Sequence, residues 1–270
     1  MNEALDRTSP GPGRPLALLA GGLGALALLL IGIGGPGTRF GWWHFRTGFK
    51  LMRYGAYFGI AAAALATVAL LVLLVLGARA RRGTRLGTVA VATLGLLLGG
   101  AAFFLPWSWR RHAQSVPRIH DITTDFLNPP EITASRALRD TTPGMNSWVY
   151  EGDTIAKQQR RAYPDIRPVM LAMGTDDAYR AALRAARGMG WEILLEDPVA
   201  RRIEAVDVTK WYGFKDDVSI RVSPASGISK VDIRSISRVG GSDVGMNAAR
   251  IRKYVAKLEE LYPDAIAETS

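Results

Sequence analysis

Three stretches lack any Asp, Glu, Lys or Arg: residues 15–38, 54–78 and 86–109. They hold nearly all of the chain's apolar excess. A helix needs roughly 20 apolar residues to cross about 30 Å of hydrocarbon. The pattern therefore predicts membrane spans over about 15–34, 54–76 and 86–105. Small residues run through them. Gly95 and Gly99 form a GxxxG pair, and Ala61 and Ala64 bound a run of alanines. Such positions let helices approach closely, and within a three-helix anchor they serve packing rather than dimerisation. Arg7 and Arg14 precede the first stretch, as in a signal peptide. Its apolar core is longer than an h-region of about 7–15 residues and no A-x-A site follows, so it reads as a retained anchor.

The pattern changes after the third span. Residues 107–170 show no strong periodicity and are punctuated by Pro117, Pro129, Pro130, Pro143, Pro164 and Pro168. They read as an extended linker that docks on a folded domain through Phe126, Trp148, Tyr150 and Tyr163. Periodicity returns at residue 175. Thr175 is placed to cap a helix with Asp176 and Asp177 in its first turn, and Gly188 and Gly190 end it. Strand patterns follow at 191–195, 201–209, 217–222 and 230–238. A last helix reaches about Leu261, with Ile251, Tyr254, Val255 and Leu258 on one stripe. Short turns imply antiparallel pairing. The predicted organisation is a three-helix transmembrane region (1–106), a Pro-rich linker (107–170) and an α+β two-layer sandwich (171–270), with both helices on one face of the sheet.

Charge sharpens this picture. The chain carries 34 Lys/Arg and 24 Asp/Glu, a net charge of +10. The excess is +8 before residue 107 and +2 after it, so the basic character belongs to the loops between spans. Basic residues there meet anionic headgroups, and nucleic acid is not an expected partner. Aromatic and basic residues interleave in 35–53, the pattern of an interfacial hairpin. Arg7, Arg14, Arg79, Arg81, Arg82 and Arg85 fall on one side of the membrane, and Arg39, Arg46, Lys50, Arg53, Arg110, Arg111 and Arg118 on the other. The dense group at 79–85 tips the balance. It places the N-terminus inside the cytoplasmic membrane and residues 107–270 outside it. With no cysteine, there is no disulfide, thiol nucleophile or Cys-ligated zinc. The three histidines, His44, His112 and His120, have no metal spacing, so no metal or cofactor is expected.

Two runs carry a resemblance. Phe214, Asp216, Asp217, Val218, Ile220 and Arg221 form the first; Arg234, Ser235, Ser237, Arg238, Gly240, Asp243, Gly245, Asn247, Arg250 and Ile251 form the second. With RIHDITTD at 118–125 and QQRRAYPDI at 158–166, this pattern resembles domain-of-unknown-function family 1499 over about residues 116–262, and its multi-span bacterial members in particular. The resemblance implies a membrane-associated or exported domain and no particular activity. Many members carry a Cys-containing segment before the domain, which this chain lacks.

Two readings of the motif stand. In one, Arg234, Arg238 and Arg250, with Ser235, Ser237 and Asn247, converge at a helix N-terminus and bind an anion. In the other, Asp217 and Asp243 pair with these arginines while Gly240 and Gly245 shape the turn, and the group is structural. Catalytic arrangements are poor. His120 and Asp121 lack a serine in a nucleophile elbow, and Asp216 and Asp217 face opposite ways on a strand. The sequence thus reads as a membrane-anchored envelope protein with a non-enzymatic binding or scaffold module. Its partners are membrane lipids and an envelope protein or anionic ligand. The alternative is an enzyme acting on an anionic lipid or glycan through the arginines.

Overall fold

The computed structural model describes residues 13–80 and 86–267. Arg7, Arg81, Arg82 and Arg85, which enter the orientation reading, lie outside the described residues. Two compact units appear. One runs up to Arg111 and takes in Trp211–Gly213; the other comprises His112–Lys210 and the residues from Phe214 onward.

The first unit holds helices α1 (Arg14–Arg39), α2 (Phe45–Ala80) and α3 (Leu86–Ser115). Each is long and apolar enough to cross a membrane. All three outrun the expected spans. The stretch 35–53 is mostly helical: α1 carries Pro36 inside it, α2 opens at Phe45, and only residues 40–44 connect them. A helix continued beyond the apolar stretch keeps its backbone groups paired, which a loop near hydrocarbon would not.

Burial here is inverted relative to a water-soluble protein. Leu19, Leu74 and Leu97 are 61%, 69% and 65% exposed, while Ala20, Ala66 and Ala92 are fully buried. Lipid tails are as apolar as leucine, so association rests on close backbone approach between small residues. Gly95 and Gly99 lie buried inside the bundle. A Cβ at Gly99 would stand 2.5 Å from the Gly59 carbonyl oxygen, and one at Gly95 2.9 Å from the backbone of Ala20.

The second unit is built on a six-stranded antiparallel sheet. Its strands are β1 (Asp121–Thr123), β2 (Val169–Leu171), β3 (Glu192–Asp197), β4 (Arg202–Val208), β5 (Lys215–Ala225) and β6 (Ile228–Ser237). The order is β1-β6-β5-β4-β3, with β2 also paired to β6. Helices α6 (Thr175–Gly188) and α7 (Met246–Leu261) cover one face, completing an α+β sandwich. Val218, Ile220, Val231 and Ile233 point into this layer against Ala182, Ile251 and Leu258. Trp191 stacks on Tyr254 at 5.5 Å, and the buried Tyr254 hydroxyl donates to the Ala182 carbonyl at 3.0 Å. Thr175 is the first helical residue of α6 and makes no cap bond; Gly174 holds the N-cap position.

The segment 107–170 is not one extended stretch. It contains the end of α3, strands β1 and β2, and helices α4 (Arg136–Thr141) and α5 (Asp153–Ala162). Residues 119–150 form a strap across the sheet face opposite α6 and α7. Strands of three residues are too short to show a period. Many of the strap's ties to the sheet are ion pairs and hydrogen bonds, which hydrophobic patterning does not reveal.

Replacing Gly99 by Ala should lower the thermal midpoint of the helical unit in detergent micelles, by about 1–3 kcal/mol of overpacking. Gly100→Ala, whose Cβ would meet nothing within 4 Å, should leave it unchanged. Circular dichroism on the full chain measures both.

Candidate functional site

Strand alternation divides the motif. Asp216, Val218 and Ile220 share the helix side of β5, while Asp217, Ser219 and Arg221 share the strap side. On β6, Ser235 and Ser237 point to the helices, and Asp232, Arg234 and Arg238 to the strap. Arg234 and Arg238 therefore do not converge with Arg250, because the sheet stands between them. The three-arginine arrangement raised by the sequence is not formed.

On the helix side, the last row of the sheet is polar, with Ser237 beside Asp216 and Asp216 beside Asp207. Arg250 of α7 reaches this row. Its Nε donates to Asp207 at 2.7 Å and its Nη2 to Asp216 at 2.6 Å. Its Nη1 donates to Ser235 Oγ at 3.0 Å and to Asn247 Oδ1. Asn247 donates from Nδ2 to the His120 carbonyl at 2.9 Å and to Ser237 Oγ at 3.1 Å. Asp243 accepts from the backbone N–H of Gly245 and of Asn247, both at 2.8 Å, and so secures the start of α7 from outside the helix. Gly245 has φ +81 and Gly240 φ +90, conformations that glycine adopts without strain. Burial pushes the Asp243 carboxyl above its ordinary value, against the downward pull of the Asn247 and Gly245 N–H bonds.

On the strap side, Arg234 forms a two-pronged pair with Asp121 at 2.9 and 2.7 Å. Two further hydrogens go to the carbonyls of Pro130 at 3.3 Å and Trp148 at 2.8 Å. Asp217 accepts from two guanidinium groups. Arg238 donates from Nη2 to Oδ1 at 2.7 Å; Arg139, from α4, donates to Oδ2 at 2.9 Å from Nε and 2.6 Å from Nη2. Ser135 Oγ adds a bond at 2.7 Å. Burial alone would raise the Asp217 carboxyl. The bonds and charges of Arg238, Arg139 and Ser135 outweigh it and hold the group below its ordinary value. Further along, buried Glu204 accepts the backbone N–H groups of Thr133, at 3.0 and 2.9 Å, and of Ala134, at 2.9 Å. Arg221 and Lys230 hold Asp125 and Asp232.

Sequence reasoning missed Arg139, Ser135, Asp121, Glu204 and Asp207 as members of these networks. The signal for Glu204 and Asp207 was available, since two acids three residues apart on a strand fall on opposite faces of the sheet. Arg139 and Ser135 lie in the aperiodic strap and had none. Ser219 Oγ, in the middle of the strap side, is fully buried without a hydrogen-bond partner among the described residues.

Asp217→Ala should destabilise the chain by about 3–5 kcal/mol, because it leaves two buried guanidinium groups uncompensated. Ser219→Ala should hold or raise stability, since it removes an unsatisfied buried hydroxyl. Denaturant titration of the full chain in micelles measures both. The sign for pH follows from the lowered carboxyl. Asp217's contribution is whole above its ordinary value of 3.8 and is lost as pH falls through its lower folded-state value. Stability should therefore drop on acidification below about pH 4. The drop should be shallower in Asp217→Asn.

A comparison with curated proteins finds no match. Residues 121–258, just over half of the chain, match the family described as "Protein of unknown function (DUF1499)". The matched region starts at Asp121, the partner of Arg234, and ends at Leu258, the last core residue of α7. The chain belongs to this family.

Proposed function

We propose that this chain is a membrane-anchored envelope protein whose C-terminal α+β domain is a non-enzymatic binding or scaffold module. We place it in the cytoplasmic membrane with the domain on the extracytoplasmic side. One observation carries the reading: the motif's arginines are engaged inside the fold. Arg234, Arg238 and Arg250 are 3%, 7% and 4% exposed, and each gives at least two nitrogens to carboxylates of its own chain. A guanidinium so held fixes strands and strap relative to each other and is not available to stabilise charge on a reacting group. Such a domain offers a rigid surface, which is what recognition by a module needs. The lipid-facing leucines of the spans make membrane lipids its constant partner. An envelope protein or an anionic ligand is the partner of the domain.

Two measurements test this. Val199 is 90% exposed in the β3–β4 turn, and the chain has no native thiol. Val199→Cys should react with a membrane-impermeant maleimide in intact cells whose outer barrier, where present, is permeabilised. Protection that ends on lysis would place the domain in the cytoplasm instead. For the activity class, full chain in micelles should release no product from anionic phospholipid or glycan fragments. Turnover abolished by Arg238→Lys at unchanged melting temperature would replace the module by an enzyme.

A further inference from the structure

On the strap side of the sheet, cations outnumber carboxylates at Asp217. Elsewhere Arg234 faces Asp121, Arg202 faces Glu131 and Glu204, and Arg221 and Lys230 face Asp125 and Asp232. At Asp217 two cations, Arg139 and Arg238, share a single carboxylate. Their mutual repulsion is felt: burial lowers the Arg139 guanidinium and the Arg238 charge adds to that, against the pull of Asp217. A third cation stands beside them. Lys215 is exposed and makes no ion pair among the described residues.

Lys215 and Arg238 border a groove of about 240 Å³. It lies between α4 and the part of the sheet that the strap leaves open. Its apolar surface is Leu138 of α4 (44% exposed), Leu194 of β3 (39% exposed) and Val206 of β4. Arg238 and Lys215 line it together with Glu192, which is exposed and likewise makes no ion pair among the described residues. Strand β3 forms the sheet's edge there, pairing only with β4. Its far backbone edge has no strand neighbour among the described residues.

We propose that this groove, deepening the module reading above on which it rests, binds an extended acidic segment of a partner protein. The segment seats an apolar side chain on Leu138, Leu194 and Val206 and sets a carboxylate against Lys215, at the end of the groove that Arg238 lines. The surplus cations call for an anion. The apolar surface calls for a side chain next to it. The open strand edge and the Glu192 carboxylate suit the N–H groups of an extended backbone. A second copy of this chain is a poor occupant, since antiparallel pairing of two β3 strands about Leu194 sets Glu192 against Glu196 of the other copy.

The test uses full chain in neutral-lipid nanodiscs and calorimetry. The probe is a capped hexapeptide alternating aspartate with leucine and valine; the controls are its lysine counterpart and inorganic phosphate at matched ionic strength. The acidic peptide should bind saturably. Lys215→Glu and Leu194→Asp, both on exposed side chains, should each weaken it about tenfold or more at unchanged melting temperature. Three results would each overturn the groove: no saturable binding, equal binding of the lysine peptide, or binding unaffected by both variants. Displacement by phosphate alone would reassign it to a small anion. In-cell crosslinking from a surface position outside the groove, Val149→Cys, separates the two proposals. A specific partner captured there while the peptide test fails leaves the module standing and removes only this site.

Discussion

A carboxylate taken out of water stays charged only if cations come with it. Much of the second unit is arranged around that constraint at Asp217. One of its arginines arrives along the sheet, from the end of β6, and the other from α4 in the strap. The strap therefore cannot leave the sheet without stranding charge, and the sheet cannot expose that face without losing its counter-ions. Glu204 repeats the arrangement with backbone N–H groups of the strap beside the Arg202 guanidinium. Replacing such pairs by packed apolar side chains is often neutral or favourable in net energy, so their role is directional. An apolar strap could slide over an apolar sheet. A strap whose N–H groups and guanidinium must each find one carboxylate has a single register.

The two units solve the problem of a buried surface in opposite ways. Among the spans the surrounding medium is itself apolar, and burial of leucine gains little. What holds helices together is close contact of backbones at Gly59, Gly95 and Gly99. In the second unit water drives burial, and Val218, Ile220, Ile233 and Leu258 fill one layer in the usual manner. The same residue types thus change roles along one chain. Leucines such as Leu19 and Leu97 are outer surface among the spans while Leu171 and Leu258 are interior in the second unit, and glycine packs helices in the first part while it permits turns at Gly240 and Gly245 in the second.

Legibility in the sequence followed the strength of the periodic signal. The three spans stood out because a charge-free run needs no partner to be recognised. Strands β4, β5 and β6 and helices α6 and α7 were placed within a few residues, since their alternation is enforced by one fully buried face. The strap was read as a linker. Its strands β1 and β2 are three residues long, and its ties to the sheet run through Ser135, Arg139 and Asp121, side chains whose type carries no period. The extension of α1 and α2 through the aromatic and basic stretch was also missed. Those residues satisfy an interfacial loop and an interfacial helix equally well, and the choice rests on backbone hydrogen bonding that composition does not encode.

The motif shows how a linear cluster becomes two sites. Asp216 and Asp217 are neighbours in the chain, as are Arg234 and Ser235, and a reader of letters joins them into one charged patch. A strand turns each successive side chain to the other side, so the patch separates into two networks back to back. Asp216, Ser235, Ser237, Asn247 and Arg250 tie α7 to the sheet; Asp217, Arg234 and Arg238 tie the strap to it. Both are needed for one reason. The polar end of the central strands β5 and β6 holds each layer that covers them at a fixed position. On the helix side the carboxylates outnumber the guanidinium, with Asp207 and Asp216 around Arg250. On the strap side, at Asp217, the guanidinium groups outnumber the carboxylate. That second imbalance borders an open groove, where charge from outside the chain can reach it.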